Sequence, residues 1–460
     1  MKAISLQSLV SATGASLVAR GDRAVTAGVM TDSRAVCSGC IFFALKGENF
    51  DGNAFAAEVS HQAAAVVVSS LGGDYAPGCS VLLVEDTLKA LQQLALWQRG
   101  QLEPLHVVGI TGSSGKTSVK DMTYSVLSTR FSCTATKGNF NNHIGVPLSI
   151  LSTPEDTQAA VWEMGMNHAG ELAPLCALTQ PQIGIISHIG SAHIGLLGSR
   201  DAIAEEKCTL ARCLPMDGWM IYPAADDYAD YIAAQTQAQL LPVGGPQSLV
   251  RASNVQSTSQ GSSYTLIIEG LGQVQVSLPI PGAHMVSNSL LAAAAGWKLG
   301  CSLEQIATGL SSLTLTHGRL ACKEVAGYTI VDDTYNANPE SMRAALRTVA
   351  ELRGHKRHIA VLGKMGELGE AGVPAHADVG WCAASLGYAA VIIAGEECPE
   401  TLAMCHAAAE SIPALLVNTP AEAAAALRQL AEPGDAILFK GSRSAGMERV
   451  IAEFTTSLSS

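Results

Sequence analysis

Gly112-Ser113-Ser114-Gly115-Lys116-Thr117-Ser118 decides how this chain is read. The apolar run Leu105-His106-Val107-Val108-Gly109-Ile110 precedes it and reads as a buried strand; Val119 to Thr129 follows and suits a helix. Strand, glycine-rich turn, Lys-Thr and helix make the layout of a phosphate-binding loop. Two glycines let the backbone aim its N–H groups at one anion. The helix start adds unpaired donors and a favourable dipole. Lys116 can reach terminal phosphates, and the Thr117 hydroxyl can hold Mg²⁺. The motif is shorter than the usual G-x-x-x-x-G-K-[ST], because its first glycine position is Ile110. The bland alternative is a tight strand-to-helix turn with a chance lysine.

Composition agrees with such a sheet. The 460 residues suffice for about three domains. Hydrophobic residues make up 48% and aromatic ones 5%, which suits parallel strands buried on both faces between helices. A net charge of −12 argues against a general nucleic-acid binder, which needs a basic face. The twelve cysteines include one C-x-x-C spacing, Cys37 and Cys40, with no second pair beside it. We read it as chance, and the unpaired cysteines as those of a reducing cytoplasm. No apolar run approaches the roughly 18 residues of a membrane helix. Ile4, Leu6, Leu9 and Val10 suit a short amphipathic helix better than a signal peptide.

Along the chain, residues 1–84 read as a small α/β unit with strands Ile41–Leu45, Ala64–Val68 and Val81–Val84. Thr31-Asp32-Ser33-Arg34 is either a capped turn with an exposed Arg or, with Lys46, a set of donors for a diphosphate or uracil group. A second domain, 85–314, carries the phosphate loop. Asn139 to Pro147, with Asn141, Asn142 and His143, is either a solvated loop or a hydrogen-bonding loop for a sugar or peptide. Glu163 ends the apolar strand Ala160–Met166, and a buried acid there wants Mg²⁺ or a salt bridge. Ser187 to His193 follows a further strand, Pro181–His188, so His193 stands at a carboxyl end, where open sheets bind ligands. Arg200–Arg212 reads as one helix with Lys207 on or near its apolar face. Gly244–Gln260 reads as a mobile polar loop, and Tyr264–Leu278 as a hairpin turning at Gly270–Gly272. A third domain, 315–460, alternates strands and helices and indicates a doubly wound sheet. Lys440 to Ser444 places donors at one of its strand ends.

In order, the chain carries T-G-S-S-G-K-T-S, the Asn139–Pro147 loop, W-E-M-G-M-N, S-H-I-G-S-A-H and D-D-T-Y-N-A-N-P-E-S-M. Over nearly its whole length it resembles the Mur ligases of peptidoglycan synthesis. T-D-S-R with F-F-A-L-K-G-E-N-F-D-G, D-D-T-Y-N-A-N-P and K-G-S-R-S point to the member that adds a terminal dipeptide. The D-N-P-R motif usual in the ligase that adds the third peptide residue is absent.

The resemblance implies a cytoplasmic enzyme, and we expect a monomer. It implies three α/β domains: a small N-terminal UDP-binding one, a central parallel sheet of phosphate-loop ATPase type, and a C-terminal Rossmann-like one. It implies that ATP phosphorylates the carboxylate of a UDP-N-acetylmuramoyl-tripeptide, and that D-alanyl-D-alanine attacks the acyl phosphate. Gly112, Ser113, Ser114, Gly115, Lys116, Thr117 and Ser118 would hold the ATP phosphates. Thr117, Glu163, His193 and Lys207 would hold Mg²⁺, two ions being expected, with Lys207 carbamylated. Asn288 would contact adenine, Asp333 the ribose with Asn336 nearby, and Arg319 the phosphates. Lys116, His193, Lys207 and Arg319 form the expected catalytic set. Ser33, Arg34 and Lys46 would take the UDP end, and Asn141 and Asn142 the muramoyl-peptide; from its chemistry rather than from the resemblance, we expect Arg443 to face the dipeptide carboxylate. Such a layout also implies closure, with hinges near 84–88 and 312–318. Two rivals are another amide ligase of the superfamily, such as folylpolyglutamate synthase, and a nucleotide switch or transport ATPase.

Overall fold

A computed structural model of the protein describes residues 4–458. The chain forms two compact units. One comprises Met1–Gly109, Phe131–Met166 and Glu171–Gln182; the other comprises Ile110–Arg130, Asn167–Gly170 and Ile183–Ser460.

The first unit opens with the expected amphipathic helix, Leu6–Thr13, capped by the Ser5 hydroxyl and ended by left-handed Gly14. Met1 to Ala3 of that stretch lie outside the described residues. Its sheet contains β1 (Ser16–Ala19), β2 (Val29–Met30), β3 (Ile41–Phe43), β4 (Ala65–Val68) and β5 (Ser80–Leu83), in the order β1-β5-β4-β3-β2. Only β1 runs antiparallel. Every residue of β3 and β4 is buried, as unbroken apolar runs in a parallel sheet require. β1 is exposed along its whole length, Leu17 and Val18 included, so it has no buried face to set a pattern. Three more strands, β6 (His106–Thr111), β7 (Cys133–Ala135) and β8 (Ala159–Glu163), lie in the order β6-β8-β7. All of β8 is buried, Glu163 included.

In the second unit, β9 (Ile183–Ile186), β10 (Trp219–Pro223) and β11 (Gln239–Val243) are parallel neighbours. A three-stranded meander follows: β12 (Val250–Thr258), β13 (Gly261–Ile268) and β14 (Gly272–Leu278). The expected hairpin is β13–β14. The expected mobile loop is wrong over most of its length, because Val250–Thr258 is an ordered strand paired to β13. It is an edge strand whose middle is mostly exposed, so it keeps polar side chains without losing the ladder. The single helix expected over Arg200–Arg212 divides into Arg200–Lys207 and Thr209–Arg212, with Cys208 at ψ −6° between them.

The C-terminal sheet contains β15 (Ala321–Val325), β16 (Tyr328–Asp333), β17 (His358–Leu362), β18 (Ala390–Ala394), β19 (Ala414–Val417) and β20 (Ala436–Lys440). Their order is β15-β16-β20-β17-β18-β19, parallel except for the β15–β16 pair. The register sets Asp333, Lys440 and Leu362 side by side at the carboxyl ends of β16, β20 and β17. Ile330, Ile359, Ile392, Ile437 and Phe439 form the core beneath them. No helix among the described residues is long and apolar enough to cross a membrane.

Candidate active site

The loop Gly112–Gly115 joins β6 to the helix Lys116–Leu127. Its shape is fixed by the segment after β9. Ser113 donates its N–H to the His188 carbonyl at 2.7 Å. Ser187 Oγ donates to the Ser114 carbonyl at 2.6 Å, and Ser113 Oγ to the Gly190 carbonyl at 3.3 Å. Both loop glycines are required. Gly112 has φ +153°, and a Cβ there would stand 2.0 Å from Ser187 Oγ. Gly115 has φ +81°, with Asn288 against it. Lys116 Nζ donates to the Gly112 carbonyl at 2.8 Å, so the ammonium curls back over the loop. Thr117 and Ser118 lie buried in the first helical turn.

Three expected residues share the electrostatics of this unit. His193 has φ +67° and lies just before the short helix Ile194–Leu197. Its Nδ1 is 2.5 Å from Glu367 Oε2, an ion-pair distance, although the angle falls outside hydrogen-bond geometry. Burial, then the charge of Lys116, lowers the imidazole pKa against the pull of Glu367. Lys207 ends the helix Arg200–Lys207 and is 1% exposed. Burial, with Lys116 adding to it, pushes its amine well below the usual lysine range.

The segment 316–340 contributes the rest. Thr316 N–H and Oγ both donate to Asp121 Oδ2 at 3.0 Å, which ties this segment to the helix Lys116–Leu127. The Arg319 guanidinium stacks on the Tyr335 ring at 4.3 Å. Its Nε meets no acceptor among the described residues. Asp333 accepts from Leu320 N at 3.2 Å and from Lys440 Nζ at 2.6 Å; Lys440 also donates to the Asn336 carbonyl at 2.9 Å. Lys440 is therefore a buried partner of Asp333, not the open anion donor expected of the Lys440–Ser444 segment. Asn336 Oδ1 accepts from the Ala337 N–H at 2.9 Å. Arg443 is exposed and pairs with Glu448 at 3.3 Å.

In the first unit, Glu163 is 1% exposed and its Oε1 accepts from Asn141 Nδ2 at 2.7 Å. Asn142 Oδ1 accepts from Ile144 N and Gly145 N, so it caps the helix Gly145–Leu151. Ser33 opens a short 3₁₀ turn capped by Asp32. The Arg34 guanidinium forks onto Asp32 at 2.9 and 2.7 Å, and this hydrogen bonding holds the Asp32 carboxyl down at about 2. Lys46 lies 3.8 Å from Asp51. No cluster of three or more His, Cys, Asp or Glu suited to a metal occurs among the described residues. The Thr117 hydroxyl and Glu163 carboxylate are nonetheless hard oxygen donors of the kind Mg²⁺ takes.

Sequence reasoning missed four contributors. Ser187 stands inside the quoted S-H-I-G-S-A-H stretch. Asn338 caps the helix Pro339–Ala350, and its Nδ2 also donates to the Ser113 carbonyl at 3.1 Å. Glu340 Oε1 accepts from Ser191 N at 3.1 Å and Ser191 Oγ at 2.9 Å. Glu367 meets His193. Asn338 and Glu340 showed only a helix-start signature, which hides a second partner.

A phosphate loop following β6, with a stacked arginine and a buried lysine in the same compact unit, is the arrangement of a nucleotide-binding α/β protein. The family model for the Mur ligase middle domain matches residues 110–296, and that for the Mur ligase glutamate ligase domain matches 318–443. The chain is 36% identical over 428 residues to the UDP-N-acetylmuramoyl-tripeptide–D-alanyl-D-alanine ligase of Escherichia coli K12, covering 92% of each chain. It superposes on MurF from Acinetobacter baumannii with TM-score 0.89 at 34% identity, covering 99% of both chains. It superposes on MurF ligase from Thermotoga maritima, solved with ADP, with TM-score 0.83 at 27% identity, covering 95% of this chain and 98% of that one. The chain belongs to the Mur ligase family, among its UDP-N-acetylmuramoyl-tripeptide–D-alanyl-D-alanine ligases.

Proposed function

We propose that this protein joins D-alanyl-D-alanine to UDP-N-acetylmuramoyl-tripeptide at the expense of ATP, forming the pentapeptide precursor of peptidoglycan. A carboxylate oxygen of the tripeptide attacks the γ-phosphorus and ADP leaves. The dipeptide amine then attacks the acyl carbon, and phosphate leaves as the amide forms. The carrying observation is that the loop 112–118, Asn288, Arg319, Asp333 and Lys207 belong to one compact unit.

Roles follow from chemistry. The loop N–H groups and Lys116 bind the phosphates. Arg319, whose Nε meets no acceptor among the described residues, offers its guanidinium charge to the transferring phosphoryl group. Asn288 faces the base, with Asp333 and Asn336 on the ribose side. Thr117, His193 and Lys207 of the second unit, and Glu163 of the first, are the proposed donors to Mg²⁺, which neutralises phosphoryl charge when bound. A buried neutral amine is the form of lysine that takes up CO₂, so the low Lys207 pKa supports a carbamate there. Ser33, Arg34, Lys46, Asn141 and Asn142 remain the proposed contacts to the UDP-muramoyl-peptide, and Arg443 to the dipeptide carboxylate. We propose that the enzyme acts as a cytoplasmic monomer.

The test is the product. Mass spectrometry of a reaction with Mg·ATP, the UDP-tripeptide and the dipeptide should show the tripeptide nucleotide gaining the dipeptide mass less one water. Recovery of unmodified tripeptide nucleotide with all three substrates present contradicts the proposal.

A further inference from the structure

The stretch Gly363-Lys364-Met365-Gly366-Glu367-Leu368-Gly369 has no part in the roles above. It leaves the carboxyl end of β17 and comes to lie on the His193 loop at three points. Glu367 Oε2 is 2.5 Å from His193 Nδ1. The Glu367 carbonyl accepts from Gly195 N–H at 3.0 Å. Gly195 also packs so tightly that a Cβ there would stand 2.5 Å from Gly369 N and 2.8 Å from the Leu368 carbonyl carbon.

The backbone is strained on both sides of this contact. Six non-glycine residues of the described chain have positive φ, and two of them are its partners, His193 at +67° and Glu367 at +61°. Such conformations persist only where surrounding structure over-determines them, and they gather at functional sites. The loop itself is anchored from behind. His376 is fully buried, its Nε2 accepts from Met365 N–H at 2.8 Å, and its Nδ1 donates to the Gly372 carbonyl at 2.7 Å. Ser442 N–H donates to the Lys364 carbonyl at 3.0 Å.

We propose that Glu367 is the positioning residue for His193. Its carboxylate oxygen, 2.5 Å from Nδ1 at an angle outside hydrogen-bond geometry, acts by its charge: it favours the imidazole tautomer that keeps the proton on Nδ1 and leaves the lone pair on Nε2. A carboxylate behind a histidine is the arrangement that orients an imidazole ligand and raises its basicity. The 363–369 loop thereby completes the nucleotide site: the histidine is set when that loop sits on Gly195. The role of His193 in catalysis rests on the ligase reading, whereas its tautomer does not.

The experiment uses the full-length chain labelled with ¹⁵N-histidine, with the His193 signals assigned by their loss in a His193→Asn variant. In the wild type, Nδ1 should resonate as a protonated nitrogen and Nε2 as an unprotonated one. Glu367→Ala should scramble that pattern, and Glu367→Gln, which keeps an acceptor, should largely retain it. Gly195→Ala, which leaves the carboxylate in place but wedges the loops apart, should scramble it too. In the ligase assay, Glu367→Ala should raise the Mg²⁺ concentration for half-maximal rate, or lower kcat, by about 10–100-fold, with the KM for the UDP-tripeptide little changed. A wild-type ring pattern and wild-type Mg²⁺ dependence in Glu367→Ala would overturn the proposal. If the wild type shows no ligase activity while the ring pattern still responds to Glu367, the functional reading fails and the positioning role stands.

Discussion

Asn288 Oδ1 stands 2.9 Å from the point where a Cβ on Gly115 would be. The helix Ala283–Lys298 thus presses a carboxamide directly against the phosphate loop, and Gly115, at φ +81°, has neither the room nor the backbone for a side chain. A left-handed non-glycine residue costs roughly 1–2 kcal/mol before any clash is counted. Gly115→Ala should therefore weaken ATP binding about tenfold or more while the chain stays folded. Calorimetric titration with a non-hydrolysable ATP analogue checks this; wild-type affinity would show that the contact is slack.

Asp333 and Lys440 form a pair whose side chains are 13% and 3% exposed. Removing one partner strands the other's charge. Lys440→Met should cost about 3–5 kcal/mol, read as a lower urea midpoint. The double variant Asp333→Asn with Lys440→Met should recover much of that loss. A double variant no more stable than Lys440→Met would mean that packing, not the stranded charge, sets the cost.

Lys207→Ala should abolish ligase activity, because the residue lies buried in the nucleotide-binding unit. Added short carboxylates should restore part of it, since they supply the oxygens of the proposed carbamate. Full activity in the untreated variant ends the carbamate proposal.

Acid should destabilise the fold through two histidines. Burial pushes the His284 pKa down to about 4 and lowers that of His376, whose Nε2 must stay unprotonated to accept from Met365. The unfolded chain therefore binds more protons than the folded one below the ordinary histidine value of about 6.5. The stability from these groups is complete above that pH and declines as pH falls from about 6.5 toward 4. For His284 the loss is on the order of 3 kcal/mol. Melting temperature measured across that range should drop, and the drop should be shallower in His284→Gln.

The sequence carried the C-terminal sheet well, because β17, β18 and β20 are continuous apolar runs ended by polar turns. It failed at β12, whose polar, half-exposed residues match no buried pattern, and at β1, which buries nothing. The phosphate loop was legible because its chemistry is local: glycines, Lys116 and Thr117 within one turn. What braces it was not. The bond from Asn338 to the Ser113 carbonyl spans 225 residues, and no spacing rule reaches that far. Lys207 could be placed only on or near an apolar face, because helical periodicity gives a face and not a depth; its full burial and the nearby Lys116 emerge only in three dimensions. Arg34 showed the reverse: the bland reading of a capped turn describes its geometry, with Asp32 engaging the guanidinium.

The measurement that bears most directly on the ligase assignment is phosphate release from Mg·ATP with UDP-N-acetylmuramoyl-tripeptide, with and without D-alanyl-D-alanine. It should be run with both the diaminopimelate and the lysine tripeptide. Release that depends on the dipeptide, with at least one tripeptide, is the predicted result, and the preferred tripeptide gives the natural acceptor. Tight ATP binding with no dipeptide-dependent release from either tripeptide would contradict the assignment and point to a different carboxylate substrate.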